Sequence, residues 1–228
     1  MITLYDLVLR DDRRPSPFCW RAKFVLKHKG LAWRDEPMGF TEKEKIAFAQ
    51  SQTVPVIHDG PKVVKDSWAI ARHLDEAYPD KPLFKDEAAL SNARFVTGWV
   101  DSIVQAALFP IVVSDLYDRV RPVDKPYFLE SRSKRLGTTD FAAFQKTARE
   151  KGVVNFRAVL EPARRVLKEQ TFLAGSSPGY ADYALGGTFL WGHVVSPLAL
   201  LEADDPIHPW RERMLDLYDG MGRTAKAA

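Results

Sequence analysis

The chain changes its hydrophobic period at Pro79, and no other feature constrains its fold as much. Up to that residue short apolar runs alternate with one-faced helical patterns, whereas every patterned segment after it is helical. Residues 2 to 8 alternate as a strand does, and a charged loop runs from Leu9 to Pro15. Phe18, Ala22, Val25 and Leu26 then form one apolar helix face, ended by Gly30. Leu31 to Met38 reads as a second strand, and Thr41 to Gln50 as irregular or briefly helical. Val54-Pro55-Val56-Ile57, the turn signal Asp59-Gly60 and Val63-Val64 predict a hairpin. Asp66-Ser67 opens a helix with apolar Ile70, Ala71, Leu74 and Tyr78. This order predicts an α/β layer with two terminal antiparallel strands over residues 1-79 and a Pro-, Lys- and Asp-rich linker over 80-88. Residues 89-228 are expected to form an all-α unit.

In that second unit Leu90 to Asp118 reads as a long helix kinked at Pro110, and the prolines between Arg121 and Lys125 break it. Further helices are expected over Phe128 to Leu136, Phe141 to Glu150 and Val153 to Lys168. Tyr180 to Leu190 is apolar on every side except for Asp182, which predicts a central buried helix. A last amphipathic helix starts at His208-Pro209-Trp210, runs through Tyr218 and closes at Gly220. The uncharged run Ala184 to Leu201 is long enough to raise a membrane span, but Gly186, Gly187, His193, Ser196 and Pro197 favour a core helix, so no membrane is expected.

Charge and cysteine usage narrow the function classes. With 33 basic and 30 acidic residues the net charge is +3, too balanced for a nucleic-acid partner. One cysteine excludes an internal disulfide, and the five histidines show no metal-ligand spacing, so a reducing cytoplasm and no metal are expected. No secretory leader is expected, because charges interrupt the N-terminal segment early. Arg13 and Arg14 read as solvated loop charges and Asp101 as a surface carboxylate.

Three sites carry chemistry together that none would carry alone. Ser16 is a good N-cap with Pro17 at the first helical position, and Ser16-Pro17-Phe18-Cys19 sets a hydroxyl and a thiol at a helix start, where free N–H groups stabilise an anion. Taken singly, Ser16 can be a plain cap, Pro55 an edge-strand proline and Asp66-Ser67 a cap with its first turn. In this topology, however, all three meet at one sheet edge. A cis bond before Pro55 would leave the Val54 backbone free to pair with a peptide-like ligand. Ser67 and its helix turn would receive a carboxylate, Asp66 an ammonium, and Ser16 would face a thiol.

These residues resemble the glutathione transferases. The resemblance rests on Ser16-Pro17-Phe18-Cys19, Thr53-Val54-Pro55-Val56-Ile57, the stretch from Asp66-Ser67 to Pro79, and Tyr180-Ala181-Asp182. It implies a thioredoxin-like N-terminal domain, an all-helical C-terminal domain, glutathione as co-substrate, a hydrophobic or aromatic electrophile and a homodimer. Ser16 is then the catalytic residue that holds the thiolate. Cys19, at the second, resolving position of glutaredoxin-like sites, is the alternative, because within the helix's first turn its thiol could still be activated. Val54, Pro55, Asp66 and Ser67 would bind glutathione, with Lys43, Lys45, Gln52 and Thr53 as candidates for its glycine end. Leu7, Phe95, Trp99, Phe109 and Trp191 are the candidates for the electrophile wall, with Tyr5 and Tyr117 beside them. In the family a Ser or Thr opens the capping box completed here by Asp182, but Gly179 occupies that position and leaves Ser177 as a loose substitute.

A narrower similarity, to bacterial glutathione-dependent β-etherases and fungal etherase-type relatives, is carried by Ile2 to Leu7, Ser16 to Arg21, Leu26 to Leu31, Asp204 to Pro206 and Leu215 to Arg223. It implies β-aryl ether cleavage. A generalist glutathione transferase or peroxidase, and a non-catalytic binding module on the same fold, are the alternatives.

Overall fold

The computed structural model describes residues 1–228. A four-stranded mixed sheet has the order β2-β1-β3-β4. Strand β1 (Ile2–Leu7) runs parallel to β2 (Trp33–Met38) and antiparallel to β3 (Val56–Asp59), which pairs antiparallel with β4 (Lys62–Lys65). A parallel pair needs a crossover, and α1 (Pro17–His28) supplies it. The β3-β4 turn uses Gly60 at φ +57°, a conformation glycine adopts without cost. Helix α2 (Ser67–Ala77) returns across the sheet, where His73 and the Tyr78 hydroxyl bond the turn residue Asp59 at 2.9 and 2.8 Å.

The linker is tied rather than loose. Asp75 accepts from the backbone of Leu83 and Phe84 and pairs with buried Lys29 at 2.5 Å. After it come α3 (Glu87–Trp99), a π-turn over Val100–Val104, α4 (Gln105–Arg119), α5 (Lys125–Leu136), α6 (Phe141–Val159), α7 (Glu161–Leu167), α8 (Tyr180–Val195) and α9 (His208–Gly220). One continuous apolar core runs from Leu4 and Phe24 through Val112 to Tyr183 and Trp210, so sheet and helices are buried against each other. The helical run Glu87–Arg119 is long and apolar enough to cross a membrane by length and composition, and part of it is buried in this core.

Several local expectations are corrected. The irregularity in the long helix lies at Val100–Val104, upstream of Pro110, and the helix runs on through that proline. Proline removes one N–H and crowds the preceding turn, and here the helix widens before it instead of breaking at it. No break occurs at Gly152. A β-carbon there would stand 2.6 Å from the Ile111 side chain, so this glycine lets α6 approach α4, and the true break is at Leu160 ahead of Pro162. The last helix loses helical geometry at Leu217, and Tyr218 and Asp219 are left-handed at φ 54° and 63°.

Arg13 and Arg14 are tied down rather than solvated, although Arg10, Asp11 and Asp12 beside them stay exposed. Arg10 donates to the Asp118 carbonyl at 2.9 Å, Arg13 to that of Lys226 at 3.0 Å, and Arg14 pairs with buried Asp6 at 3.3 Å. Asp101, in the π-turn, holds the buried guanidinium of Arg21 at 2.5 and 3.2 Å. Helix α8 is buried along almost its whole length, and at Gly187 a β-carbon would stand 2.5 Å from the Pro17 carbonyl oxygen.

Titration should weaken this fold in two stages. Burial lowers the pKa of His28 and His193, so the unfolded state takes up protons first as pH falls below about 6.5. Against the upward push of burial, Lys29, Arg121 and Arg164 hold Asp75, Asp124 and Asp205 below the usual carboxylate range. Their stabilisation is complete above the unfolded value of about 3.9 and is lost as pH falls through the folded values. Urea midpoints should therefore slope down from about pH 6.5 and drop again below about pH 4. A flat profile from pH 7 to pH 3 would contradict these assignments.

Candidate functional site

Ser16 caps α1: its Oγ accepts from the Cys19 N–H at 3.2 Å, which leaves the hydroxyl proton available. Pro17 has no N–H, and the Trp20 N–H is taken by the Ser16 carbonyl. The Phe18 N–H remains as the free donor of this turn, and both Ser16 and Phe18 line a cleft of about 720 Å³ between the sheet edge and the helices. Cys19 faces the other way. It is 1% exposed, and burial, aided by the Asp6 carboxylate, pushes its thiol well up, so it stays protonated and out of the cleft.

The other two elements reach the same cleft. The Val54-Pro55 bond is cis, and no hydrogen bond within the chain uses the Val54 N–H or C=O. The Pro55 carbonyl accepts from the Asp66 N–H at 3.2 Å, joining the loop to the start of α2. Asp66 sits at φ 75°, and its Oδ1 accepts from the Trp68 and Ala69 N–H groups at 2.9 and 3.1 Å. Its Oδ2 is free of that cap. Ser67, Gln52, Thr53 and Lys43 also line the cleft, the Lys43 ammonium standing 4.6 Å from the Tyr127 ring. Lys45 does not; it donates to the Pro37 carbonyl and pairs with Glu42.

The helical side supplies an aromatic wall. Of the expected residues, Leu7, Phe109 and Trp191 line the cleft, with Phe109 and Trp191 stacked at 6.4 Å. Phe95 is 77% exposed on α3, and Trp99 packs against the core, so neither reaches it. Tyr5 packs on Phe48, and Tyr117 meets Phe141 edge to face. The sequence reading missed Phe18, Phe40, Tyr127, Arg132 and Arg135 on the lining. The spacing i, i+4, i+7 of Phe128, Arg132 and Arg135 was the available signal, because it sets both arginines on the stripe of α5 that starts at buried Phe128.

A polar clamp holds the two sides together. Buried Asp124 accepts from the Thr41 N–H and hydroxyl at 2.9 and 2.7 Å and pairs with Arg121, which also reaches Glu42 at 2.7 Å. A β-carbon at Gly39 would overlap the Arg121 guanidinium, so a side chain there would displace the Arg121 end of this clamp. Beside the clamp Phe40 is seated edge to face on Phe128, with centroids 5.2 Å apart. No group of three His, Cys, Asp or Glu side chains is arranged to hold a metal ion.

The missing N-cap of α8 is also resolved. Gly179 has no side chain to offer, and Ser177 takes no part; Asp182 supplies half a capping box by accepting from the Gly179 N–H at 3.1 Å. The same carboxylate accepts from Leu173, Ala174 and the Trp210 indole at 2.7, 3.1 and 2.8 Å.

Residues 15–77 match the family described as glutathione S-transferase, N-terminal domain, and residues 91–204 its C-terminal domain. The glutathione S-transferase-like protein ustS of Aspergillus flavus is 32% identical over 76% of this chain and 72% of its own length. Glutathione S-transferase U22 of Arabidopsis thaliana is 25% identical over 85% and 78%. Among solved structures, glutathione transferase GSTFuA3 of Phanerochaete chrysosporium superposes with TM-score 0.77 at 26% identity, over 96% of this chain and 92% of that one. A glutathione S-transferase of Ceriporiopsis subvermispora in complex with glutathione gives TM-score 0.77 at 22% identity, over 98% and 94%. With both family domains in sequence and the thioredoxin-like sheet packed on its helices, the chain belongs to the glutathione S-transferase family.

Proposed function

We propose that this protein activates the thiol of glutathione at Ser16 and transfers it to an electrophilic aromatic substrate bound against the helices, with β-aryl ether cleavage as the candidate reaction. The observation that carries the reading is the convergence of a helix start, a free backbone pair at Val54 and the Asp66-Ser67 cap on one cleft. In this reading the γ-glutamyl carboxylate lies on Ser67 and the N–H groups around it, its ammonium on Asp66 Oδ2, and the cysteinyl backbone pairs with Val54. The glycine carboxylate falls to Lys43, Gln52 or Thr53.

Chemistry then needs only a lowered thiol pKa. A thiol near 8.5 is a few per cent ionised at neutral pH, and lowering it by about two units requires roughly 2.7 kcal/mol. One hydrogen bond to a charged sulfur supplies about 1.5–3 kcal/mol, and the helix start adds to it. The Ser16 hydroxyl and the Phe18 N–H are therefore sufficient without a general base. The thiolate forms the carbon–sulfur bond as the phenolate or halide departs with the bonding electrons.

Residues 1–79 form the glutathione-holding unit in this scheme, 80–88 the linker and 89–228 the unit that contributes the electrophile wall. The single buried cysteine suits a cytoplasmic setting, and exposed Phe95 and Ile103 on one stretch of the helical half support a homodimer. The test is retention on immobilised glutathione followed by assay with a β-aryl ether model compound and 1-chloro-2,4-dinitrobenzene. Retention with ether cleavage is expected. Aryl-halide conjugation alone would remove the etherase reading, and retention with no turnover would leave a binding module.

A further inference from the structure

Arginines on the helical half usually meet carboxylates: Arg121 meets Asp124, Arg149 meets Asp115, and Arg164 meets Asp205. Arg132 and Arg135 meet none. Arg132 makes one hydrogen bond, to Ser131, and its guanidinium lies 4.9 Å from the Phe128 ring, while Arg135 lies 4.7 Å from the Phe109 ring. Both line the cleft on its aromatic side, where Phe109 stacks on Trp191. Burial lowers the pKa of Arg132, and the like charge of Arg135 adds to the effect. Two neighbouring guanidiniums over aromatic faces with no anion between them form a recognition pair for one.

Counting charge around the cleft leads to the same place. Lys43, Lys65, Arg132 and Arg135 face a single acid, Asp66. Glutathione carries two carboxylates and one ammonium, and the sites on the sheet side account for these. The two arginines on α5 are left over. We infer that the electrophile is an aromatic compound bearing a carboxylate, whose ring lies against Phe109 and Trp191 and whose carboxylate is taken by Arg132 and Arg135.

This inference rests on the transferase reading, and the test separates the two. The probes are 4-chloro-3,5-dinitrobenzoate and its methyl ester, which share the ring and the leaving chloride; because the ester activates the ring more than the carboxylate, each kcat/KM is taken relative to that probe's uncatalysed rate with glutathione. In each, the glutathione sulfur bonds to the ring carbon and chloride leaves with its electron pair. The wild type should favour the carboxylate by about tenfold in kcat/KM, and this ratio should collapse towards one in Arg132→Gln/Arg135→Gln. Lys134→Gln, which removes one charge from an exposed residue of the same helix paired with Glu130, should keep the ratio.

A ratio near one in the wild type would overturn the inference while leaving the transferase intact. An equal loss for both probes in the double variant would also overturn it, by assigning the arginines to glutathione. If neither probe is turned over, these aryl halides are not substrates and the transferase reading rests on the ether assay. The inference is then decided by quenching of tryptophan fluorescence with the two synthetic conjugates: tighter binding of the carboxylate conjugate supports it, and equal binding refutes it.

Discussion

Ser16→Ala should lower kcat/KM by roughly 10- to 100-fold at pH 6.5 and by progressively less as pH rises. In the proposed scheme the replacement removes one hydrogen bond to the glutathione sulfur, worth about 1.5–3 kcal/mol, and leaves the rest of the cleft in place. The apparent pKa of the rate profile should therefore climb towards the free-thiol value of about 8.5, where the substrate ionises unaided. Ser16 also caps α1 through the Cys19 N–H, so about 1 kcal/mol of stability should go with it. Ser16→Thr keeps both the cap and the hydroxyl and should recover most of the rate. Cys19→Ala should keep the wild-type pH profile, because that thiol is buried and held protonated. An unshifted profile in Ser16→Ala, or loss of turnover confined to Cys19→Ala, would transfer the role to another group.

Asp182→Ala should be the most destabilising single change in the chain. Its carboxylate is fully buried and accepts four N–H groups, three from the loop between α7 and α8 and one from the α9 indole. Deleting it strands buried donors at about 1–3 kcal/mol each, a total of at least about 4 kcal/mol against the 5–15 kcal/mol that holds a typical domain. At roughly 2–4 °C per kcal/mol for a chain of this size, Tm should fall by about 10 °C or more. Trp210→Phe removes one of the four bonds and keeps an aromatic ring, so it should cost a fraction of that. A melting temperature for Asp182→Ala within about 3 °C of wild type would show that the loop finds other partners.

Local chemistry in this chain was legible, and register between distant elements was not. Ser16 and Asp66 could be read as caps because each bonds donors two or three residues away. The Asp59-Gly60 turn and its strands depended on equally short distances. Phe95 and Trp99 were misplaced for a geometric reason. On an unbroken helix of 100° per residue they share a face about 80° wide with Phe109. The π-turn at Val100–Val104 changes the winding between them, so Phe109 reaches the cleft while the other two do not.

The break expected between Glu150 and Val153 is absent for a different reason: Gly152, which lies there, serves close packing against Ile111. Arg132 and Arg135 were overlooked because a charged helix stripe is ordinarily solvated. What sets theirs against the cleft is the clamp of Asp124 on Thr41 and Arg121, formed by residues up to 83 positions apart in sequence.

Gly187 bears on how this protein could be recombined. Its bare α-carbon is where the buried helix of one half touches the Pro17 carbonyl of the other, one residue after Ser16, and a methyl group there would intrude to 2.5 Å. The halves are thus not interchangeable cassettes. A chimera that borrows a foreign helical half must also bring a residue without a side chain to this crossing, or the graft will displace the helix start that Ser16 caps.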